Sequence, residues 1–214
     1  MFIEMLDLLR CVNAHEETWL VASLNAVSDR FVLAGILGCP VCHAEYPIRK
    51  GIADFREGGS SEPRAVDRHW SDESRDELAT RVGAFLNATE PGSTVVLGGS
   101  WADAAHELAV MTDMRVLALN SRAGIEESER VGLLQIWNQI PLAPASVVGV
   151  ALDAGFAAGT IASALEVVRP GGRIVGPASI APPPEVSVLA RDERYWVAEK
   201  PAEIISLRRA TVTE

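Results

Sequence analysis

From Pro91 to Val175 the sequence alternates short apolar stretches with helix-length segments, and this alternation restricts the fold more than any other feature. Thr94–Leu97, Arg115–Leu119, Leu133–Trp137, Ser146–Leu152 and Arg173–Val175 read as strands, with helices at Trp101–Met111 and Gly159–Val168 between them. A helix over Asp76–Leu86 precedes them, with Leu78, Val82, Phe85 and Leu86 on one face. Strands joined through helices form a mostly parallel α/β sheet covered on both faces. Val186–Ala190, Tyr195–Ala198 and Ile204–Leu207 follow without an intervening helix, which predicts an antiparallel hairpin at one sheet edge.

One composition break divides the chain. Residues 56–66 are Gly, Ser, Pro and charged residues between two patterned regions. They read as a linker between a unit spanning 1–55 and one spanning 67–214. The N-terminal unit opens with an amphipathic helix, Ile3–Leu9, followed by strands at Thr18–Ser23 and Arg30–Leu37.

The chain has 214 residues and a net charge of −10. That balance excludes a general nucleic-acid binder, because phosphate contacts demand clustered Lys and Arg. No apolar run reaches the ~18 residues of a membrane span. The N-terminus lacks a basic start and a clean apolar stretch, so the expected compartment is the cytoplasm. Three cysteines are too few for a disulfide framework and point to metal binding or plain burial.

Cys39-Pro40-Val41-Cys42 is a knuckle of the kind that holds one zinc ion. Structural zinc needs four ligands, and Cys11 with His15 is the plausible second pair. His43, beside the knuckle, is a competing ligand. The alternative is that the cysteines are small buried hydrophobes and His15 a surface residue. Leu8-Leu9-Arg10-Cys11, together with Cys39 through Tyr46-Pro47-Ile48-Arg49-Lys50-Gly51-Ile52, resembles the small zinc-ribbon proteins that activate methyltransferases. The late half of that pattern matches closely. The early half lacks its second cysteine, and Val12-Asn13-Ala14-His15 stands in its place. The resemblance implies a small α+β zinc-ribbon-like module that docks on a methyltransferase, its own or a separate one.

The C-terminal unit resembles class I S-adenosylmethionine-dependent methyltransferases. The resemblance rests on Arg169-Pro170-Gly171-Gly172 before a strand, and on the approach Ile140–Leu152 to the fourth strand. It implies a doubly wound, Rossmann-like fold. By that likeness Gly98, Gly99 and Ser100 would face the cofactor and Asn120 would meet its ribose. The departures are larger than the matches. No carboxylate ends the first strand, only two glycines remain, a bulky Trp101 follows, and Asn120 replaces an acid. Asp153 is the candidate catalytic residue, a carboxylate at the end of a central strand where such sheets bind ligands. Its simpler reading is a cap for the following helix. His69 and Trp70 mark either the lip of a pocket or an anchor for the linker.

Two functions follow. A degenerate, non-catalytic homologue would bind or scaffold a protein partner. A divergent active methyltransferase would use Asn120, Gly98-Gly99 and Asp153. A nicotinamide-dependent oxidoreductase shares the sheet type, but the full Gly-x-Gly-x-x-Gly is absent. Exposed strands at the sheet edge would permit a homo-oligomer.

Overall fold

The computed structural model describes residues 1–56, 74–122 and 124–202. Most of the expected linker, His69, Trp70 and the expected strand Ile204–Leu207 lie outside the described residues.

All strands join one mixed sheet. The N-terminal unit supplies β1 (Val21–Ser28), β2 (Phe31–Gly38), β3 (Glu45–Arg49) and β4 (Ile52–Asp54). The C-terminal unit supplies β5 (Thr94–Gly98), β6 (Arg115–Leu119), β7 (Val131–Gln135), β8 (Val147–Ala151), β9 (Val168–Pro177), β10 (Ser187–Arg191) and β11 (Tyr195–Glu199). The order across the sheet is β1-β2-β3-β4-β7-β6-β5-β8-β9-β11-β10. Strands β4 to β9 in that order are parallel neighbours, and both flanks are antiparallel.

β5 and β8 are buried along their whole length, as strands covered on both faces must be. Helices α1 (Arg75–Leu86) and α2 (Ala105–Thr112) cover one face. There Val82, Leu86 and Leu108 cluster with Val95, Leu97, Val116 and Ala118. Helix α3 (Ala158–Val167) and the N-terminal segment cover the other. There Ile161, Ala164, Met5 and Leu9 cluster with Val96, Leu117 and Val150. Alternate residues of one strand thus feed opposite cores, the period-two rule in action.

The α1 N-terminus carries a reciprocal capping box between Ser74 and Glu77. Removing its hydroxyl with Ser74→Ala is expected to cost about 1 kcal/mol, measurable by urea denaturation.

Several elements differ from expectation. The helix expected at Ile3–Leu9 is a single 3-10 segment, Ile3–Leu8. The helix expected at Trp101–Met111 divides into a 3-10 turn, Gly99–Ala104, and α2. The chain turns sharply out of β5 at Gly99, whose φ is +66°, and the tighter winding completes that turn before α2 begins. The strand expected at Leu133–Trp137 starts at Val131, because its pairing with β6 runs from Val116↔Val131 to Leu119↔Leu134. Arg169–Gly172 does not separate helix from strand. It lies inside β9 as a bulge, where pairing with β8 jumps from Val147↔Val168 to Gly149↔Arg173. The expected antiparallel hairpin is formed by β10 and β11, with β10 on the edge.

The two units share the sheet. β4 runs parallel to β7, with Ala53 opposite Leu134 and Asp54 opposite Gln135. The Phe55 N–H continues the ladder to the Gln135 carbonyl at 2.8 Å. Among the described residues no helix is long and apolar enough to cross a membrane.

Candidate functional site

Two places hold the site residues that the sequence singles out. The first lies in the N-terminal unit. Cys11, His15, Cys39 and Cys42 each direct one ligand atom into a common volume, and the four atoms lie within 4.8 Å of one another. Cys11 Sγ stands 3.6 Å from Cys42 Sγ, and Cys39 Sγ stands 3.3 Å from His15 Nε2. Donors arranged tetrahedrally around one zinc ion would stand about 3.5–3.8 Å apart. Soft sulfur and imidazole donors select zinc over the hard cations that prefer oxygen. The group can therefore hold one zinc ion.

Local structure sets this geometry. Cys39 follows the end of β2, and the His43 N–H returns to the Cys39 carbonyl at 3.0 Å, closing the knuckle. Within the knuckle the Cys42 backbone N–H donates to Cys39 Sγ at 3.5 Å. His43, the competing candidate, sits at φ +60°, is exposed and falls outside the cluster. Across the site, the backbone at Arg10 is fixed by a bond from its N–H to the Pro141 carbonyl at 2.9 Å. This anchors Cys11 to the C-terminal unit.

An outer layer of contacts supports the donors. His15 Nδ1 lies 2.6 Å from the Glu16 carbonyl, which keeps a proton on Nδ1 and leaves Nε2 free to ligate. That bond also raises the His15 pKa above its ordinary value. The Ala44 backbone N–H, then the Asn13 amide at 3.2 Å, stabilise the Cys42 thiolate and lower its pKa to about 6. Burial raises the Cys11 thiol instead. Burial, then the Cys11 contact at 3.1 Å, raises the Tyr46 hydroxyl. Asn13 and Tyr46 are contacts that ligand spacing does not reveal. The only signal for Asn13 is its place two residues after Cys11.

The second place is the crevice at the C-terminal ends of β5 and β8. Gly98, Gly99, Ser100 and Asp153 lie at or near these strand ends and Asn120 follows β6, and the Ser100 N–H, the Asp153 carboxylate and the Asn120 amide are already engaged. The Asp153 carboxylate is buried, and it accepts the Ser100 N–H at 2.6 Å and the Gly155 N–H at 2.9 Å. It presses on Gly99 so closely that a Cβ there would run into its oxygens. Asp153 is therefore not the cap of α3. That helix begins after Ala157, with no side-chain cap bond. The carboxylate instead fastens β8 to the turn after β5.

Gly98 is closed in a similar way. A Cβ on it would meet Leu152 at 2.6 Å and the Phe156 ring at 2.7 Å. Asn120 adopts φ +48°, and its amide spans the Ile136 backbone, accepting from the N–H at 2.8 Å and donating to the carbonyl at 3.1 Å. These bonds join Asn120, expected at a cofactor ribose, and so β6, to the end of β7. Trp101 is buried against Phe85 and Tyr195, a packing residue at the start of the turn. Phe156 is the crevice residue that sequence reasoning missed, and its only signal is an aromatic three positions after Asp153.

No protein-family model matches the chain, and no curated protein sequence matches it. Among solved structures, similarity extends to the mycinamycin-pathway methyltransferase MycE, with 12% identity over 65% of this chain and 53% of that one, at a TM-score of 0.45. A second is a putative S-adenosyl-L-methionine-dependent methyltransferase of Methanococcus maripaludis, with 10% identity over 61% and 86%, TM-score 0.43. A third is the [4+2]-cyclase SpnF, with 15% identity over 53% and 52%, TM-score 0.41. The matched region spans about half the length of MycE and of SpnF.

Proposed function

We propose that this chain is a non-catalytic, methyltransferase-like protein that acts as a binding or scaffolding subunit, with a zinc-bearing module at residues 1–55 docked on its own C-terminal unit at 67–214. The sheet supports the fold reading. Within the C-terminal unit the order is third, second, first, fourth, fifth, seventh, sixth. This order supports a doubly wound reading in which one antiparallel strand, β11, is inserted near the edge. The strand order reverses between β5 and β8, where such folds bind their ligands.

One observation carries the functional reading: the chain's own Asp153 carboxylate holds the Ser100 N–H above Gly99. A cofactor carboxylate approaching that turn would compete with a fixed negative charge for the same donor. Displacing a buried charge from its hydrogen bonds costs several kcal/mol by the usual scale of such losses. Phe156 fills the neighbouring space over Gly98, and Asn120 is committed to Ile136. Parallel pairing of β4 with β7 supports docking of the module in cis, since that edge of the module is then occupied.

The test is calorimetric titration of the full chain with S-adenosylmethionine and S-adenosylhomocysteine, with zinc measured on the same sample. No binding heat is expected up to about 1 mM ligand, which bounds the affinity weaker than roughly −4 kcal/mol. Micromolar binding would overturn the reading and restore the divergent active methyltransferase, with Asp153 swinging out of the turn.

A further inference from the structure

The sheet extends one strand beyond its core. On β2, Val32 and Leu37 are fully buried against the N-terminal segment. Their partners across the ladder, Val27 and Ala22 on β1, are exposed, as is every other residue of that strand. β1 ends the sheet, and among the described residues no strand pairs with its outer side. Its eight residues span about 27 Å of unpaired backbone edge.

Proteins guard such edges with Lys, Pro or inward-facing charge. This one is bare. Residues 18–28 contain no charged residue and no proline, in a chain of net charge −10. Val21, Leu24 and Val27 are exposed on β1, and beside it Trp19 is exposed with the Arg10 guanidinium 4.4 Å over its ring. The only local irregularity is a register shift around Leu24–Val27. The opposite edge is defended: β10 has five residues, ends in Arg191 and is followed by Asp192 and Glu193.

We propose that β1 is the docking edge for a second copy of this chain, pairing with its own symmetry mate in an antiparallel, two-fold dimer. Charge selects the occupant. A two-fold antiparallel pairing sets the middle of the strand, near Leu24 and Asn25, against its own copy, so a charge there would face a like charge. Strongly acidic chains repel one another over most of their surface, and the uncharged stretch is where they can meet. Pairing of β1 with β10 of another copy would be head-to-tail and leave a free edge at each end, growing without limit. The two-fold arrangement closes, and it completes the ladder of β1 on the side that the fold leaves open.

The experiment is sedimentation and light scattering of the zinc-loaded full chain from about 1 to 100 µM. The wild type is expected to reach the mass of two chains. Leu24→Lys is expected to weaken the dimer at least ~100-fold, because two lysines would oppose across the axis. Its melting temperature, read at a concentration where both proteins are monomeric, should match wild type. Mixing Leu24→Lys with Leu24→Glu should restore a mixed dimer that neither forms alone. A wild type that stays monomeric throughout the range overturns the proposal. So does a dimer that both variants leave intact. Should Leu24→Lys fail to fold, Asn25→Lys and Asn25→Glu, at the exposed position next to the axis, give the same three readings.

Discussion

Cys39→Ser is expected to release zinc and to destabilise the chain by about 4 kcal/mol or more, a loss at the extreme end of what single substitutions cause. For a chain of this size that corresponds to a fall in melting temperature of roughly 8–16 °C. The reason is the position of the site. Cys39 is buried just past the end of β2, and one ion there would tie the knuckle to the segment carrying Cys11 and His15. Those segments come from opposite chain ends of the hairpin of β1 and β2, and Asn13 with Cys42 and Cys11 with Tyr46 also join them. Loss of one ligand leaves three donors, Cys11, His15 and Cys42, one short of the four a structural zinc takes. The measurement is zinc content by mass spectrometry alongside a thermal melt, with chelator-treated wild type as reference. Stripped wild type should melt close to the variant. Full zinc occupancy in Cys39→Ser, or an unchanged melt after complete chelation, would rule out a structural metal. Asn13→Ala should act in the same direction but less, lowering zinc affinity about tenfold by removing the amide that donates to Cys42.

Gly99→Ala is expected to cost about 2–5 kcal/mol. A left-handed backbone at an alanine costs ~1–2 kcal/mol, and overpacking adds ~1–3. Both contributions are present, since φ is +66° and the new methyl would meet the Asp153 carboxylate. The double variant Gly99→Ala/Asp153→Ala separates them. If Asp153 occupies the turn, its removal eliminates the collision, and the double variant should be more stable than the two single losses predict when added. Strict additivity in urea denaturation would place the carboxylate elsewhere and reopen the crevice to a cofactor. This cycle reads the packing of the crevice alone, so it is independent of whether any ligand binds.

The Cys/His cluster was largely legible in the sequence. Cys39-x-x-Cys42 is a local motif whose tight turn follows from its own spacing, and the Cys11/His15 pair was the remaining donor set upstream. The layer around it was not legible. Asn13 and Tyr46 reach the thiols only because the fold brings the knuckle and β3 against the segment at Cys11, a tertiary matter. The crevice shows the reverse balance. Glycine positions and strand ends could be read from the chain, yet the direction in which Asp153 points could not. A carboxylate two residues before a glycine serves equally well as a helix cap, a ligand contact or a strand fastener. Only the Ser100 N–H, in the turn that follows the neighbouring strand β5, decides among them.

By itself the sequence determined the alternation of strands and helices, the antiparallel hairpin at one edge and the four members of the Cys/His cluster. Each follows from local periodicity or short spacing, which a single chain segment carries. The tertiary structure alone decided that the N-terminal unit continues the sheet of the C-terminal one through β4 and β7. It also decided that Asp153, Phe156 and Asn120 close the crevice. β4 has three residues, too few for any pattern to name its partner, and its pairing is set by which edge the larger sheet leaves open. Side chains at strand ends behave the same way. Their bonds go to whichever backbone groups the neighbouring strand leaves unpaired, and the register between strands that are distant in sequence fixes those groups.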